Sequence, residues 1–121
     1  MRRRPLQLVA AGLILLVSGW GCSRPGSNVL GQVPGSSAIT LDAARHAPPG
    51  TSVTVEGEMI EKCPEAGCWF VLKDGSGTLR VDTKTAGFVV LDVPLHRRLS
   101  VSGQLLTNGT DRLLAATGVR Y

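Results

Sequence analysis

The chain has 121 residues, room for one small domain, and sets 13 Lys and Arg against 9 Asp and Glu for a net charge of +4. Arg2, Arg3 and Arg4 carry most of that excess; without them ten basic residues face nine acidic ones, a net of +1. A nearly neutral domain has no broad cationic footprint, so the basicity of the whole chain is no argument for nucleic acid as a partner.

The three arginines open a segment that reads as an address rather than as fold. Leu6 to Val17 is apolar apart from Gln7 and Gly12, too short for a typical membrane span, and the small residues Ser18, Gly19 and Gly21 lead to Cys22. The Gly21-Cys22 step resembles the bacterial lipobox, in which a small residue precedes a cysteine that is diacylated and becomes the new N-terminus. Trp20 and Gly19 depart from that pattern. Ordinary signal cleavage and an uncleaved anchor are the alternatives. The expected organisation is therefore a lipoprotein signal peptide over 1–21, a flexible tether over 22–38 rich in Gly, Ser and Pro, and a folded domain over 39–121. The resemblance implies an exported protein, lipid-anchored to the envelope. Ser23, in place of the aspartate that retains some lipoproteins at the inner membrane, points to an outer membrane where there is one.

Thr40 is placed to cap a short helix over Leu41 to His46, which Pro48-Pro49-Gly50 ends. The period then changes to two. Val53, Val55, Gly57 and Met59 alternate with Thr54, Glu56, Glu58 and Ile60 in a first strand. Cys63 to Cys68 is a turn, Cys68 to Lys73 a second strand, and Asp74-Gly-Ser-Gly77 a hairpin turn leading to a third strand through Leu79, Val81 and Thr83. Thr85 to Pro94 is apolar without a clean period and reads as an irregular or partly helical crossover. Leu99 to Leu105 and Leu113 to Val119 are the last two strands, joined at Asn108-Gly109. Three strands, a longer crossover and a closing hairpin give a mainly β fold, a five-stranded OB barrel with a short N-terminal helix, over the alternatives of an open sandwich or an SH3-like barrel.

T-L-D-A-A-R-H-A-P-P-G-T-S-V-T-V-E-G (40–57) with V-L-K-D-G-S-G-T-L-R-V-D (71–82) resembles the bacterial OB-fold family of small periplasmic proteins. The segment E-K-C-P-E-A-G-C-W-F (61–70) is similar to an uncharacterised group of secreted OB domains with a Cys…Gly-Cys-Trp signature. The resemblance implies the fold and no particular activity.

Cys63 and Cys68 are the even pair left in an exported domain, and an oxidising compartment favours a disulfide between them. On adjacent strands their Cβ atoms can reach the roughly 3.5–4.5 Å a disulfide needs. So short a loop would stabilise the fold by about 2 kcal/mol. The alternatives are copper or zinc on the two thiolates, with Met59 and a histidine, His46 or His96, as further ligands, or a thiol-redox role. Otherwise no cofactor is expected. Strand alternation sets Trp69 and Val71 opposite Phe70 and Leu72. That makes Trp69, with Arg80 of the next strand, the candidate ligand face, against a Trp69 packed under the helix or the tether. The outward residues of the first strand, Thr54, Glu56 and Glu58, form a set made acidic by its two glutamates, and His96-Arg97-Arg98 is the one basic cluster, a solvated loop or a contact for acidic headgroups. There is no Ser-His-Asp set, no carboxylate pair in an obvious cleft and no phosphate loop. The chain is therefore read as a non-enzymatic binding or accessory module whose partner is an envelope protein or a small ligand.

Overall fold

The computed structural model describes residues 27–121. The expected signal peptide and the lipidation site at Cys22 lie outside them. The elements are β1 (Val29–Gly31), α1 (Leu41–His46), β2 (Ser52–Lys62), β3 (Trp69–Asp74), β4 (Gly77–Asp82), a 3₁₀ turn (Lys84–Ala86), β5 (Arg98–Asn108) and β6 (Asp111–Arg120).

β2, β3 and β4 form an antiparallel meander, β5 returns to pair with β2, and β6 pairs with β5. The ring closes through a parallel pairing of β4 with β6, Arg80–Leu113, Val81–Leu114 and Asp82–Ala115. Closure leaves these five strands few free edges and gives them a common inside, the OB barrel expected from the strand order. Val55 and Met59 of β2, Phe70 and Leu72 of β3, Val81 of β4, Val101 of β5 and Leu114 of β6 all point inward and are fully buried.

The two ends of the barrel are plugged differently. At the end of the β3–β4 and β5–β6 turns, α1 inserts Leu41 and Ala44. A six-residue helix has almost no stability of its own. Burying Leu41 supplies about 2 kcal/mol, more than its helix propensity does, so tertiary packing holds this helix. At the other end the crossover inserts Val90 and Val93. Its lack of period follows from that role: two valines in an irregular chain suffice to fill the opening.

The composition places Val29–Gly31 in a flexible tether; the structure instead makes it a strand. β4 covers only the first half of β6, and β1 takes the same side of the second half, with Val29 opposite Arg120 and Gly31 opposite Gly118. The amide of Asn28 donates to Tyr121 O at 3.0 Å and that of Tyr121 to Asn28 O at 2.9 Å. Gly118 permits the close pass, since a Cβ there would collide with the carbonyl of Gln32. Farther on, the amide of Ile39 donates to Thr54 O at 2.8 Å, so this stretch is fastened at both ends.

Asp74 joins the helix to the β3–β4 turn. Its carboxylate accepts from the amide of Leu41 at 3.0 Å, the amide of Ser76 at 2.7 Å and the amide of Gly77 at 3.1 Å. Burial pushes this carboxyl up, but the Ser76 hydroxyl and these three amides outweigh it and hold the group below the usual carboxylate range. A lowered folded pKa means that the contact stabilises above the ordinary carboxylate pKa and is lost as pH falls through the folded one. Asp74→Ala is expected to cost about 1–3 kcal/mol in urea denaturation at neutral pH. The gap to the wild type should close as pH drops below about 4; a gap independent of pH would refute the carboxylate's role.

Candidate functional site

Trp69 opens β3 directly after the cysteine turn, and with Phe70 and Leu72 committed to the core its ring faces outward, half-buried. In the β3–β4 register Trp69 lies opposite Asp82 and Val71 opposite Arg80, so Trp69 and Arg80 are diagonal neighbours on the outer face. The guanidinium of Arg80 sits 4.6 Å from the Trp69 ring centroid, within cation–π range. Trp69 is therefore not under the helix; its neighbour is an exposed arginine. Such a stack contributes about 0.5–1 kcal/mol at an exposed site, enough to orient both side chains and too little to lock them.

The neighbouring outer face of β2 is internally paired. Glu56 meets Arg98 at 3.6 Å and Glu58 meets His96 Nδ1 at 2.7 Å. The acidic row legible in the sequence is thus paired with the basic cluster at the start of β5. Arg97, the cluster's middle member, lies 5.9 Å from the Tyr121 ring.

The thiols sit at the rim, on the crossover side. Both are free, and they stand at the two ends of one short turn. The turn between them is firmly built. Cys63 donates its amide to Trp69 O at 3.0 Å, Gly67 to Cys63 O at 3.1 Å, and Thr83 to Cys68 O at 2.9 Å. Gly67 has φ +62°, and a Cβ there would lie 2.7 Å from the Leu91 amide nitrogen, so only glycine lets the turn meet the crossover this closely. Val90 donates to Gly67 O at 2.9 Å across that contact. Lys62 reinforces it from β2: its amine donates to Leu91 O at 2.8 Å and also to the carbonyl of Val93.

Met59 does not join the thiols. It is fully buried among the inward residues of β2, so the expected ligand set contracts to the two sulfurs. His46 is on α1, at the opposite end of the barrel, where its ring meets the carbonyl of Asp42, and His96 is engaged by Glu58. Among the described residues no three His, Cys, Asp or Glu side chains converge on one point.

A groove of about 770 Å³ lies on a different side of the barrel, between residues 32–39 and the outer faces of β2 and β5. Its walls carry hydroxyls and amides and no ionisable side chain, among them Thr54, Ser102, Gln104 and Thr117. Thr54 and Ser102 bond to each other at 2.6 Å, and the amide of Gly35 donates to Ser102 at 2.9 Å. These groups fasten the N-terminal stretch to the barrel. Neither this groove nor the Lys62 clasp has a local signal in the sequence, because both join segments far apart in the chain.

The Cys63 thiol is held below its ordinary value, first by the backbone amides of Ala66 and Glu65, against some desolvation, and then by that of Gly67 and the Cys68 thiol. A lowered thiol pKa means more thiolate at neutral pH. With the protein reduced, the alkylation rate of Cys63 by iodoacetamide is expected to rise with a midpoint below that of an unstructured cysteine peptide. A midpoint at or above the peptide's would show that the turn amides do not stabilise the anion.

Comparison with known proteins bears on the fold. A family model described as "Bacterial OB fold (BOF) protein" matches residues 23–119. The structure of the hypothetical protein ygiW from E. coli superposes with a TM-score of 0.56 at 20% sequence identity, covering 71% of this chain and 91% of that one. At that identity the likeness is one of fold alone. No curated protein matches the chain.

Proposed function

The chain belongs to the bacterial OB-fold family, and from that premise we propose that it is a non-enzymatic binding module of the cell envelope. A lipid on Cys22 holds it to a membrane, and the outer face of β3 and β4 takes its ligand. The observation that carries the reading is the Trp69–Arg80 stack, half-exposed on the strands where OB barrels commonly bind. The indole offers a flat apolar surface and the guanidinium directed donors. Together they suit a ligand, small molecule or protein segment, with an apolar body and an acceptor or anionic group. Nucleic acid fits poorly: stacking needs a row of aromatics along a basic track, and Trp69 stands alone beside Asp82.

Cys63 and Cys68 are proposed to close a disulfide in an oxidising compartment. Their place at the two ends of one short turn supports this, and bracing the turn would also fix the start of β3, where Trp69 stands. The lowered thiol of Cys63 supports a second reading, a soft metal such as copper or zinc on the two thiolates. Stoichiometric uptake by the reduced domain, abolished by Cys63→Ser, would favour it.

With the leader removed Trp69 is the sole tryptophan, so its fluorescence reports on the proposed face directly. A ligand from envelope fractions that shifts this emission is expected to lose at least tenfold in affinity with Arg80→Ala, and with Trp69→Ala when binding is read by calorimetry, about 1.4 kcal/mol each. Binding that survives both substitutions would place the site elsewhere.

Two measurements test the rest of the reading. Alkylation of the unreduced exported protein should label neither Cys63 nor Cys68; two labelled thiols would refute the disulfide. Cys22→Ala should abolish acyl labelling and membrane association, and unchanged retention would point to an uncleaved anchor.

A further inference from the structure

The fold decides which end of the barrel an anchor at Cys22 would hold toward a membrane. Between Cys22 and Ser27, the first described residue, the chain reaches no more than about 18 Å even fully extended. Asn28 is then pinned to Tyr121 by two hydrogen bonds. Tyr121 follows the end of β6, and Arg120 lies opposite Ser100 near the start of β5. That is the crossover end of the barrel, away from α1. The crossover itself lies beside the entering strand: a Cβ on Gly31 would come within 2.6 Å of the Phe88 ring.

Four of the seven large aliphatics exposed among the described residues gather at this end, the others being Val33, Ile39 and Leu106. Val89 is 47% exposed, Leu91 43%, Leu95 46% and Val29 37%. Scattered exposed aliphatics need no explanation. Here, however, the crossover contributes three within seven residues, and β1 adds the fourth where the chain enters. The same loop turns Val90 and Val93 into the core and is fixed by Gly67 and Lys62, so the outward set stands on a firm base. Charges of both signs stand around it in equal number, Lys62, Lys84, Arg97 and Arg98 against Glu58, Glu61, Glu65 and Asp92.

We propose that the crossover, through Val89, Leu91 and Leu95, docks on the surface of the phospholipid bilayer that holds the Cys22 lipid. The proposal rests on the anchor reading above, and chain reach and the place of entry choose the bilayer as the occupant. Attachment raises the local concentration of membrane, so a weak apolar contact suffices where the free domain would not bind. Because the charges cancel, the contact is insensitive to salt. Docking sets the barrel axis and leaves the α1 end facing away from the membrane.

Hydrogen exchange by mass spectrometry tests this on the full lipidated protein in vesicles of phosphatidylethanolamine and phosphatidylglycerol, with the Cys22→Ala protein in solution as reference. Exchange over 87–97 is expected to slow several-fold on the vesicles, in low and high salt alike, while the turns at 74–77 and 108–111 do not change. Leu91→Asp combined with Leu95→Asp should restore fast exchange over 87–97 without releasing the protein. Both leucines are exposed, and unchanged exchange in β2 and β5 checks that the barrel is intact. Equal exchange over 87–97 in the vesicle-bound and free proteins, or protection of the α1-end turns instead, overturns the docking while the anchor stands. Absence of an acyl group on Cys22, read from the mass of the mature protein, overturns the anchor and the docking with it.

Discussion

Three residue pairs between β4 and β6 turn a curled sheet into a barrel. They are parallel and brief, yet the division into inside and outside depends on them. Without closure, Leu79 and Val81 on β4 and Leu114 on β6 would line an open edge. With it they join a core sealed at one end by α1 and at the other by the crossover. The outer face inherits its order from the same constraint. Because Phe70, Leu72, Leu79 and Val81 must point inward, Trp69 and Arg80 must point outward, and the register sets them side by side.

What was legible in the sequence follows from how local each signal is. The helix could be read to the residue because its cap, Thr40, and its stop, Pro48-Pro49, lie within a few positions of it. The placement of Trp69 and Phe70 on opposite faces could be read because a strand alternates with period two; which of them goes inside could not, and the structure buries Phe70. The stack with Arg80 could not, because it needs the hairpin register. The pairing of β1 was invisible for a stronger reason: three residues carry no period, and their partner is at the far end of the chain, made approachable by a single glycine, Gly118. Met59 failed as a ligand candidate because proximity along a strand says nothing about facing. It is four residues from Cys63 but belongs to the inner row.

The rim around Gly67 gathers several of the chain's chemical resources. The cysteine turn, the crossover and the end of β2 meet there, tied by main-chain bonds and the Lys62 amine. Thr83, whose amide serves Cys68, is fully buried, and its hydroxyl has no partner among the described residues. The cysteine turn, the start of β3 that carries Trp69, and the crossover are therefore mechanically adjacent.

The position of β6 also governs the order in which the molecule can form. This strand is partner to β5, to β4 and to β1, so the first and the last of the described strands meet on it. Loop-closure entropy must be met before such distant contacts repay it. A growing chain therefore keeps an open meander until β6 is free to pair. That strand acts as the latch, and the barrel has no closed form while any part of it is still being made.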